Sequence, residues 1–134
     1  MGKGGETIMK MNTYRTHSAF TLVEIMIVVA IIGLLAALAV PGFMRARMQS
    51  QGRRIINDAR QMDAAIDQWA LEKGKKDGDA ITTTEAASYL KNTWQANDLL
   101  GNAFGVTLVG ATQMQISATT KTALTGVGID WGPY

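Results

Sequence analysis

The sequence contains no cysteine, which excludes a disulfide, a thiolate metal site and a cysteine nucleophile. Its one histidine, His17, lies among the first twenty residues, so the rest of the chain has no histidine for a catalytic triad or a metal site. The sequence also lacks a phosphate-binding glycine loop and a dinucleotide-binding motif. No catalytic constellation is left, and we expect a protein that is not an enzyme.

Most of the chain also lacks a net charge of either sign. The formal net charge is +2, from 13 basic and 11 acidic residues. Three of the basic residues (Lys3, Lys10 and Arg15) and one acidic residue (Glu6) precede residue 20, which leaves ten of each sign in residues 20–134. A neutral body gives no reason to expect a specific nucleic-acid partner.

A long apolar run fills residues 20–40. At about 1.5 Å per residue, a helix of this length crosses a bilayer core of roughly 30 Å. The run is also longer than the apolar core of an ordinary secretory signal. It predicts a single-pass membrane anchor, while the polar residues 1–19 are interpreted as a leader that is disordered or removed.

A single carboxylate, Glu24, interrupts the apolar run. An acid costs about 2.5–3.5 kcal/mol at the bilayer centre and less toward its edge, whereas each Leu, Ile or Val returns roughly 0.3–0.6 kcal/mol. Insertion therefore tolerates Glu24 without needing it. Two interpretations stay open: the side chain lies at the headgroup level, or it is a functional acid that binds a cation.

Residues 43–73 are predicted to continue as an amphipathic helix. Apolar and small residues recur at intervals of three and four: Met48, Gly52, Ile55, Ala59, Met62, Ile66 and Trp69. Arginines come first on the polar face (Arg45, Arg47, Arg53, Arg54 and Arg60), followed by acids (Asp58, Asp63, Asp67 and Glu72). The stripe favours packing against the protein's own domain, and the charge order would also let staggered parallel copies pair.

Residues 74–134 are predicted to form a small globular region. Gly74 and Gly78 end the long helix, and Thr82 with Glu85 has the spacing of a capping box that starts a short helix. A hairpin follows, with its turn at residues 110–111. Its strands would present two alternating pairs of apolar residues, Val106 with Leu108 and Met114 with Ile116. A third, irregular strand is expected at residues 127–129.

The loop that contains Asp77 and Asp79 carries the weak signal for a metal. These carboxylates would offer oxygen ligands to calcium, with Asn97, Asp98 or Asp130 as further candidates. The twelve-residue loop pattern of a calcium-binding hand is absent. A plain polar turn is therefore favoured, and no cofactor is expected.

The segment "AFTLVEIMIVVAIIGLLAALAVPGF", residues 19–43, resembles the amino-terminal signature of type IV pilins and type II secretion pseudopilins. The resemblance implies that a prepilin peptidase cuts between Ala19 and Phe20 and that the new amine of Phe20 is methylated. It also implies that Glu24 pairs with that amine on a neighbouring subunit. The family usually has glycine where this chain has Ala19. Between Gly33 and Pro41, the family's helix can lose its hydrogen bonds in the filament.

The resemblance also implies an α+β fold, in which a long amino-terminal helix packs on a small carboxy-terminal antiparallel sheet. We expect a cytoplasmic leader (1–19), a transmembrane and assembly segment (20–42), an amphipathic half-helix (43–73) and a globular region (74–134). The expected function is a structural subunit of a type IV pilus or related filament. Its expected partners are further copies of the chain, the peptidase and an inner-membrane assembly platform.

Two alternatives accompany this interpretation. One is a subunit of a type II secretion pseudopilus, and the other is a membrane-anchored monomeric binding module. The expected location is the bacterial inner membrane as a single-pass precursor, followed by a periplasmic or extracellular filament. The orientation with the leader in the cytoplasm comes from the resemblance, because basic residues follow the anchor as well as precede it.

Overall fold

The structure is a computed structural model that describes residues 1–2, 4–5 and 19–134. The predictions made for residues 3 and 6–18, including those for the charges of the leader, lie outside the described residues. The chain divides into two compact units, Met1–Ala37 and Leu38–Tyr134. Each unit is described by itself.

The first unit contains the start of a long helix, α1, which spans Leu22–Lys73. The apolar side chains of this unit, from Phe20 to Leu35, are exposed, with Phe20 at 81% and Leu22 at 79%. Among the described residues, α1 is the one helix that is long and apolar enough to cross a membrane. The segment predicted to be an anchor is a continuous apolar helical surface that the described residues leave exposed.

Helix α1 continues through Pro41, which lies inside the helix. Proline has no amide hydrogen and clashes with the carbonyl four residues earlier, so it weakens a helix even where the helix persists. Gly33 adds a residue of low helix propensity on the amino-terminal side. The free chain is helical throughout this segment, and the loss of hydrogen bonds in a filament stays a prediction.

The second unit is built around the second half of α1. The predicted stripe is confirmed, because Ile55, Ile66 and Trp69 have no exposed surface and Met62 has 1%. The side chains that join them in one core come from the rest of the unit: Ala86, Val109, Met114, Ile116, Leu124 and Val127. The second half of α1 thus contributes a large share of the buried side chains of the core.

Short elements follow α1 in the order α2 (Thr83–Ala86), a 3₁₀ turn (Ala87–Tyr89), β1 (Gly105–Val106), β2 (Met114–Gln115) and α3 (Ala118–Ala123). Strands β1 and β2 are antiparallel, with Gly105 opposite Gln115 and Val106 opposite Met114. An isolated antiparallel bridge joins Leu108, two residues beyond β1, to Ala80 in the segment before α2. The architecture is the predicted α+β arrangement of a long helix and a small antiparallel sheet.

The hairpin is confirmed, but only one of its two apolar pairs enters the core. Met114 and Ile116 are buried, whereas Val106 is 38% and Leu108 55% exposed. A two-stranded sheet that lies on a helix covers one face, and the other face meets solvent unless a further layer is added. The side chain of Val109, at the end of the first strand segment, is buried instead.

The expected third strand at residues 127–129 is wrong. Gly126 and Gly128 have φ angles of 83° and 69°, which turn the backbone away from the extended conformation on both sides of Val127. The carbonyl of Val127 accepts a hydrogen bond from Nε2 of Gln49 on α1, at 2.7 Å. The segment is therefore fastened to the helix and not to the sheet.

A glycine on α1 allows this close packing of the last segment. A Cβ atom at Gly52 would overlap Cδ1 of Ile129, which packs against the core. Helix α3, which was not predicted from the sequence, precedes this segment. Ser117 caps α3, because its hydroxyl accepts the N–H of Thr119 at 3.2 Å.

The predicted capping box at Thr82 and Glu85 is also wrong. Thr82 makes no side-chain capping bond to α2. The carboxylate of Glu85 instead accepts the indole N–H of Trp69, at 2.8 Å. Because the ring of Trp69 is buried, its N–H needs a hydrogen-bond acceptor. The carboxylate of Glu85 serves as that acceptor and does not cap the start of α2.

Asp63 does not lie on the polar face of α1, where the sequence placed it. It is 8% exposed, and its Oδ1 accepts the backbone N–H groups of Gln113 at 2.7 Å and Met114 at 3.0 Å. Asp67 accepts the side-chain amide of Gln113 at 2.8 Å. Two acids of α1 therefore hold the second strand of the hairpin against the helix.

Replacing Asp63 is expected to loosen the hairpin. Asp63→Ala leaves two buried N–H groups without their acceptor, so we expect a loss of about 2–4 kcal/mol in the free energy of unfolding. Denaturation of the full chain in detergent, followed by circular dichroism, measures this loss. Hydrogen exchange at the amides of Gln113 and Met114 should accelerate in the same variant.

The matched control is Asp58→Ala, the same change on the same helix at a half-buried position. We expect this control to cost less than about 1 kcal/mol, as surface substitutions commonly do. Equal losses for the two variants would contradict the role given to Asp63.

Tyr89 provides a test by pH. Its hydroxyl donates to Oε2 of Glu72 at 2.5 Å, and this bond, with smaller contributions from burial and from the charges of Glu72 and Glu85, raises the pKa of Tyr89. Because the folded pKa is raised, the stabilisation is complete below the unfolded pKa of about 10 and is lost as pH rises through the folded pKa. We expect Glu72→Gln to lower the pKa of Tyr89 toward its ordinary value. Tyrosinate absorbance measures the change, with Tyr89→Phe to assign the signal, and an unchanged titration in Glu72→Gln would rule out the bond.

Candidate functional site

Helix α1 begins with a reciprocal pair of hydrogen bonds between Thr21 and Glu24. The hydroxyl oxygen of Thr21 accepts the backbone N–H of Glu24 at 3.2 Å. In return, Oε2 of Glu24 accepts the backbone N–H of Thr21 at 2.7 Å. This arrangement is a capping box, which satisfies two of the N–H groups that a helix start leaves without partners.

The spacing of Thr21 and Glu24 in the sequence is that of a capping box, although the box was predicted at Thr82 and Glu85. Thr21 and Glu24 have the same spacing as Thr82 and Glu85, but only the first pair forms the box. The difference lies in competition, since Glu85 has the indole of Trp69 to bind. Among the described residues, the side chains around Glu24 other than Thr21 are apolar and offer no such partner.

The capping box gives Glu24, the acid in the apolar run, a role within its own helix. Free backbone N–H groups and an unpartnered carboxylate are both costly away from water, and each supplies the other's partner here. A negative charge in the first turn also interacts favourably with the helix dipole. Glu24 therefore has a structural role within a single chain, beside any role between chains.

The carboxylate keeps capacity for a second partner. The bond to Thr21 uses only Oε2 of Glu24. Exposed apolar side chains surround it in the first turns of α1: Leu22, Val23, Ile25, Met26 and Ile27. A cation that reached Oε1 in a packed or membrane environment would meet low dielectric, where charge pairing is strong.

The predicted processing site lies immediately before this box. Ala19, Phe20 and Thr21 precede the helix, and all three are exposed. A cut between Ala19 and Phe20 would turn the peptide nitrogen of Phe20 into an amine, one residue from the capping threonine. The arrangement thus brings the site of a new positive charge and the acid Glu24 to the same end of α1.

The other predicted site residues lie far along the chain from this end. Gly33 and Pro41 are inside α1 and are exposed, with open space around Gly33. Asp77 is exposed, and Oδ2 of Asp79 accepts the backbone N–H of Lys76 at 2.9 Å, which closes a polar turn. These residues show no common site.

The calcium prediction receives no support from the candidates' geometry. Asp98 is 9% exposed, and its Oδ1 accepts the N–H groups of Leu100 at 2.8 Å and Asn102 at 3.0 Å, while Oδ2 accepts the hydroxyl of Thr120. Within residues 1–2, 4–5 and 19–134, no three acidic or histidine side chains are grouped to hold an ion. Asp98 orders its own loop and fastens it to α3.

Comparison with known proteins agrees with the amino-terminal geometry. The prokaryotic N-terminal methylation motif matches residues 14–40. The type IV major fimbrial protein FimA of Dichelobacter nodosus is 34% identical over 109 residues, which are 81% of this chain and 60% of the relative. The fimbrial protein EcpC of Eikenella corrodens is 31% identical over 107 residues, 80% of this chain and 69% of the relative.

A third relative comes from a secretion system. The type II secretion system core protein G of Aeromonas hydrophila is 33% identical over 61 residues, 46% of this chain and 43% of the relative. No solved structure matches the chain at a significant level. With the motif, the helix and the fimbrial relatives in agreement, the chain belongs to the family of type IV pilins and pseudopilins. It spans between 38% and 60% of the FimA proteins that it matches.

Proposed function

We propose that the chain is a structural subunit of a type IV pilus or a closely related filament. The observation that carries the proposal is the exposed apolar start of α1, capped by Thr21 and Glu24 within the methylation motif. Such a surface needs a bilayer or a bundle of like helices around it. A subunit that moves from the inner membrane into a filament exchanges one cover for the other, so little apolar surface reaches water.

Processing prepares the subunit for assembly. A prepilin peptidase removes residues 1–19 on the cytoplasmic side and methylates the amine of Phe20. An assembly platform in the inner membrane then takes the subunit from its single-pass state into the growing filament, whose other components are copies of the same chain. The role is structural and requires no reaction by the chain itself.

Glu24 directs the contact between subunits. In the free chain its carboxylate closes the capping box through Oε2. In the filament it also pairs with the amine of Phe20 of a neighbouring subunit, a cation that exists only after the leader is cut. Assembly is thereby limited to processed chains.

Alignment coverage favours a pilus over a type II secretion pseudopilus. The longest alignments are fimbrial, with one FimA protein and EcpC over 81% and 80% of this chain, although a second FimA protein aligns over 46%, the same share as core protein G. Electron microscopy of sheared surface material, with an antibody against this chain, tests the proposal. Filaments that contain the chain support it, and a chain found only as a membrane-bound monomer would favour the binding-module alternative.

The processing step makes a prediction about mass. In cells that contain the peptidase, the extracted chain should begin at Phe20 and carry one added methyl group. Intact-mass measurement of the purified protein checks this. In cells without the peptidase, the leader should remain attached, which serves as the control. An unmodified chain that keeps its leader in the presence of the peptidase would contradict the proposal.

The assembly role of Glu24 is tested with Glu24→Leu and Glu24→Gln. Both variants should insert into the membrane at least as well as the wild type, since each removes a charge. Filament yield should fall by about tenfold or more, because the incoming amine of Phe20 is left without a counter-charge at low dielectric, at a cost of about 3–5 kcal/mol. Membrane-bound subunit and sheared filament are quantified in the same cells, with cleavage confirmed by mass.

Thr21→Val is the matched control for the capping role. It removes the hydroxyl acceptor of the box, at about 1 kcal/mol, but keeps the carboxylate of Glu24. Filaments should still form in this variant. If Thr21→Val abolishes filaments while correctly cleaved Glu24→Gln assembles normally, the acid acts through the cap alone and the pairing role is refuted.

A further inference from the structure

A cluster of exposed arginines follows the apolar segment of α1. Its members are Arg45, Arg47, Arg53, Arg54 and Arg60, and all are exposed. Asp58 is the single acid in residues 41–60, and it is half-buried. This part of the helix therefore presents a strongly positive surface, although residues 20–134 as a whole are neutral.

The first two arginines directly follow exposed apolar side chains. Val40 is 57%, Phe43 68% and Met44 47% exposed, and Arg45 is the next residue. Along the helix, Arg45 lies about 8 Å and Arg47 about 11 Å beyond Val40, at roughly 1.5 Å per residue. Charges interact over a screening length of about 8–10 Å at physiological salt.

The flexible stem of arginine extends this reach. Its methylene groups lie along apolar surface while the guanidinium stays at the level of the lipid headgroups. The planar guanidinium also binds two phosphate oxygens at once. By the same helical rise, the last arginine, Arg60, lies about 30 Å beyond Val40 and is screened from the membrane surface.

We propose that Arg45 and Arg47 bind the phosphate groups of anionic phospholipids while the subunit waits in the membrane. The inference rests on the membrane-inserted precursor of the proposed function. The lipid contact holds the end of the transmembrane segment at the membrane surface, and it must be released when the subunit enters a filament. The lipid composition of the membrane then sets how firmly the waiting subunit is held.

The acids of a second copy's helix are a poorer partner for these arginines. Asp63 is buried and binds two backbone N–H groups of the hairpin. Asp67 accepts the side chain of Gln113, and Glu72 accepts the hydroxyl of Tyr89. Asp63 is therefore withdrawn from the charge order that suggested staggered pairing of copies, whereas Asp67 and Glu72 remain exposed carboxylates. Before assembly no second copy is packed on the helix, so the anionic lipid surface beside the apolar segment is the partner within reach of Arg45 and Arg47.

The absence of cysteine allows a direct test. Val40→Cys gives the full chain a unique labelling site for a fluorophore near the end of the apolar segment. The labelled chain is reconstituted in vesicles of phosphatidylcholine and phosphatidylglycerol, to which either lipid is added in spin-labelled form. Contact with a spin-labelled lipid quenches the fluorophore, and the ratio of the two quenching curves gives the preference for the anionic lipid.

We expect a preference for phosphatidylglycerol of about tenfold or more, since a basic residue near an anionic surface contributes roughly a fivefold preference. Changing both Arg45→Gln and Arg47→Gln should abolish the preference, and high salt should reduce it in the chain that keeps its arginines. The matched control changes Arg53→Gln and Arg60→Gln, which removes the same charge farther along the helix. Its preference should stay within about twofold of the parent.

Two outcomes would overturn the inference alone. Equal quenching by the two lipids would show that the arginines do not select anionic lipid, and carboxylates of a neighbouring copy would then be the better partner. An equal loss of preference in the two double variants would show a general effect of charge and not a contact made by Arg45 and Arg47. Failure of both lipids to quench would mean that the chain does not insert. That result would overturn the membrane stage of the proposed function together with the inference.

Discussion

The apolar surface from Phe20 through the first half of α1 to Met44 has to be covered, and the other features of the protein depend on this requirement. The side chains of this stretch are exposed in the single chain. Water cannot be their lasting environment, because a continuous apolar surface of this size drives insertion or association. A bilayer and a helical bundle both satisfy the requirement, and the subunit proposed above, which passes from one to the other, needs a polar interaction that holds in each. The capping box at Thr21 and Glu24 supplies it, since it pairs a backbone N–H and a carboxylate within one turn.

The same helix meets a different requirement in its second half. There one face is covered by the chain itself, and Ile55, Ile66 and Trp69 are removed from water entirely. The sheet that helps to cover them has strands of two residues each, too short to stand alone. Asp63 compensates by binding two N–H groups of the hairpin, and Gln49 fastens the last segment. Polar side chains on α1 thus organise a domain whose regular secondary structure is sparse.

The acids of α1 show how such a domain changes a charge pattern. From the sequence, four acids and five arginines form one segregated polar surface. In the fold, Asp63, Asp67 and Glu72 are bound by residues from later in the chain, while the arginines stay exposed. Only Asp63 is thereby removed from the surface, whereas Asp67 and Glu72 remain exposed carboxylates beside the arginines.

Local chemistry was enough to predict the anchor, the stripe of α1, the hairpin and the family, because apolar length, helical spacing and a short motif depend on neighbours in the chain. The capping box was equally readable, since Thr21 and Glu24 are three residues apart. What the sequence left open was decided by partners distant in the chain. The carboxylate of Glu85 accepts the indole N–H of Trp69 and does not cap the helix at Thr82. The carbonyl of Val127 accepts the side-chain amide of Gln49 and does not pair with a strand. Buried donors and carbonyls must find partners, and only the tertiary structure determines which distant group lies within reach.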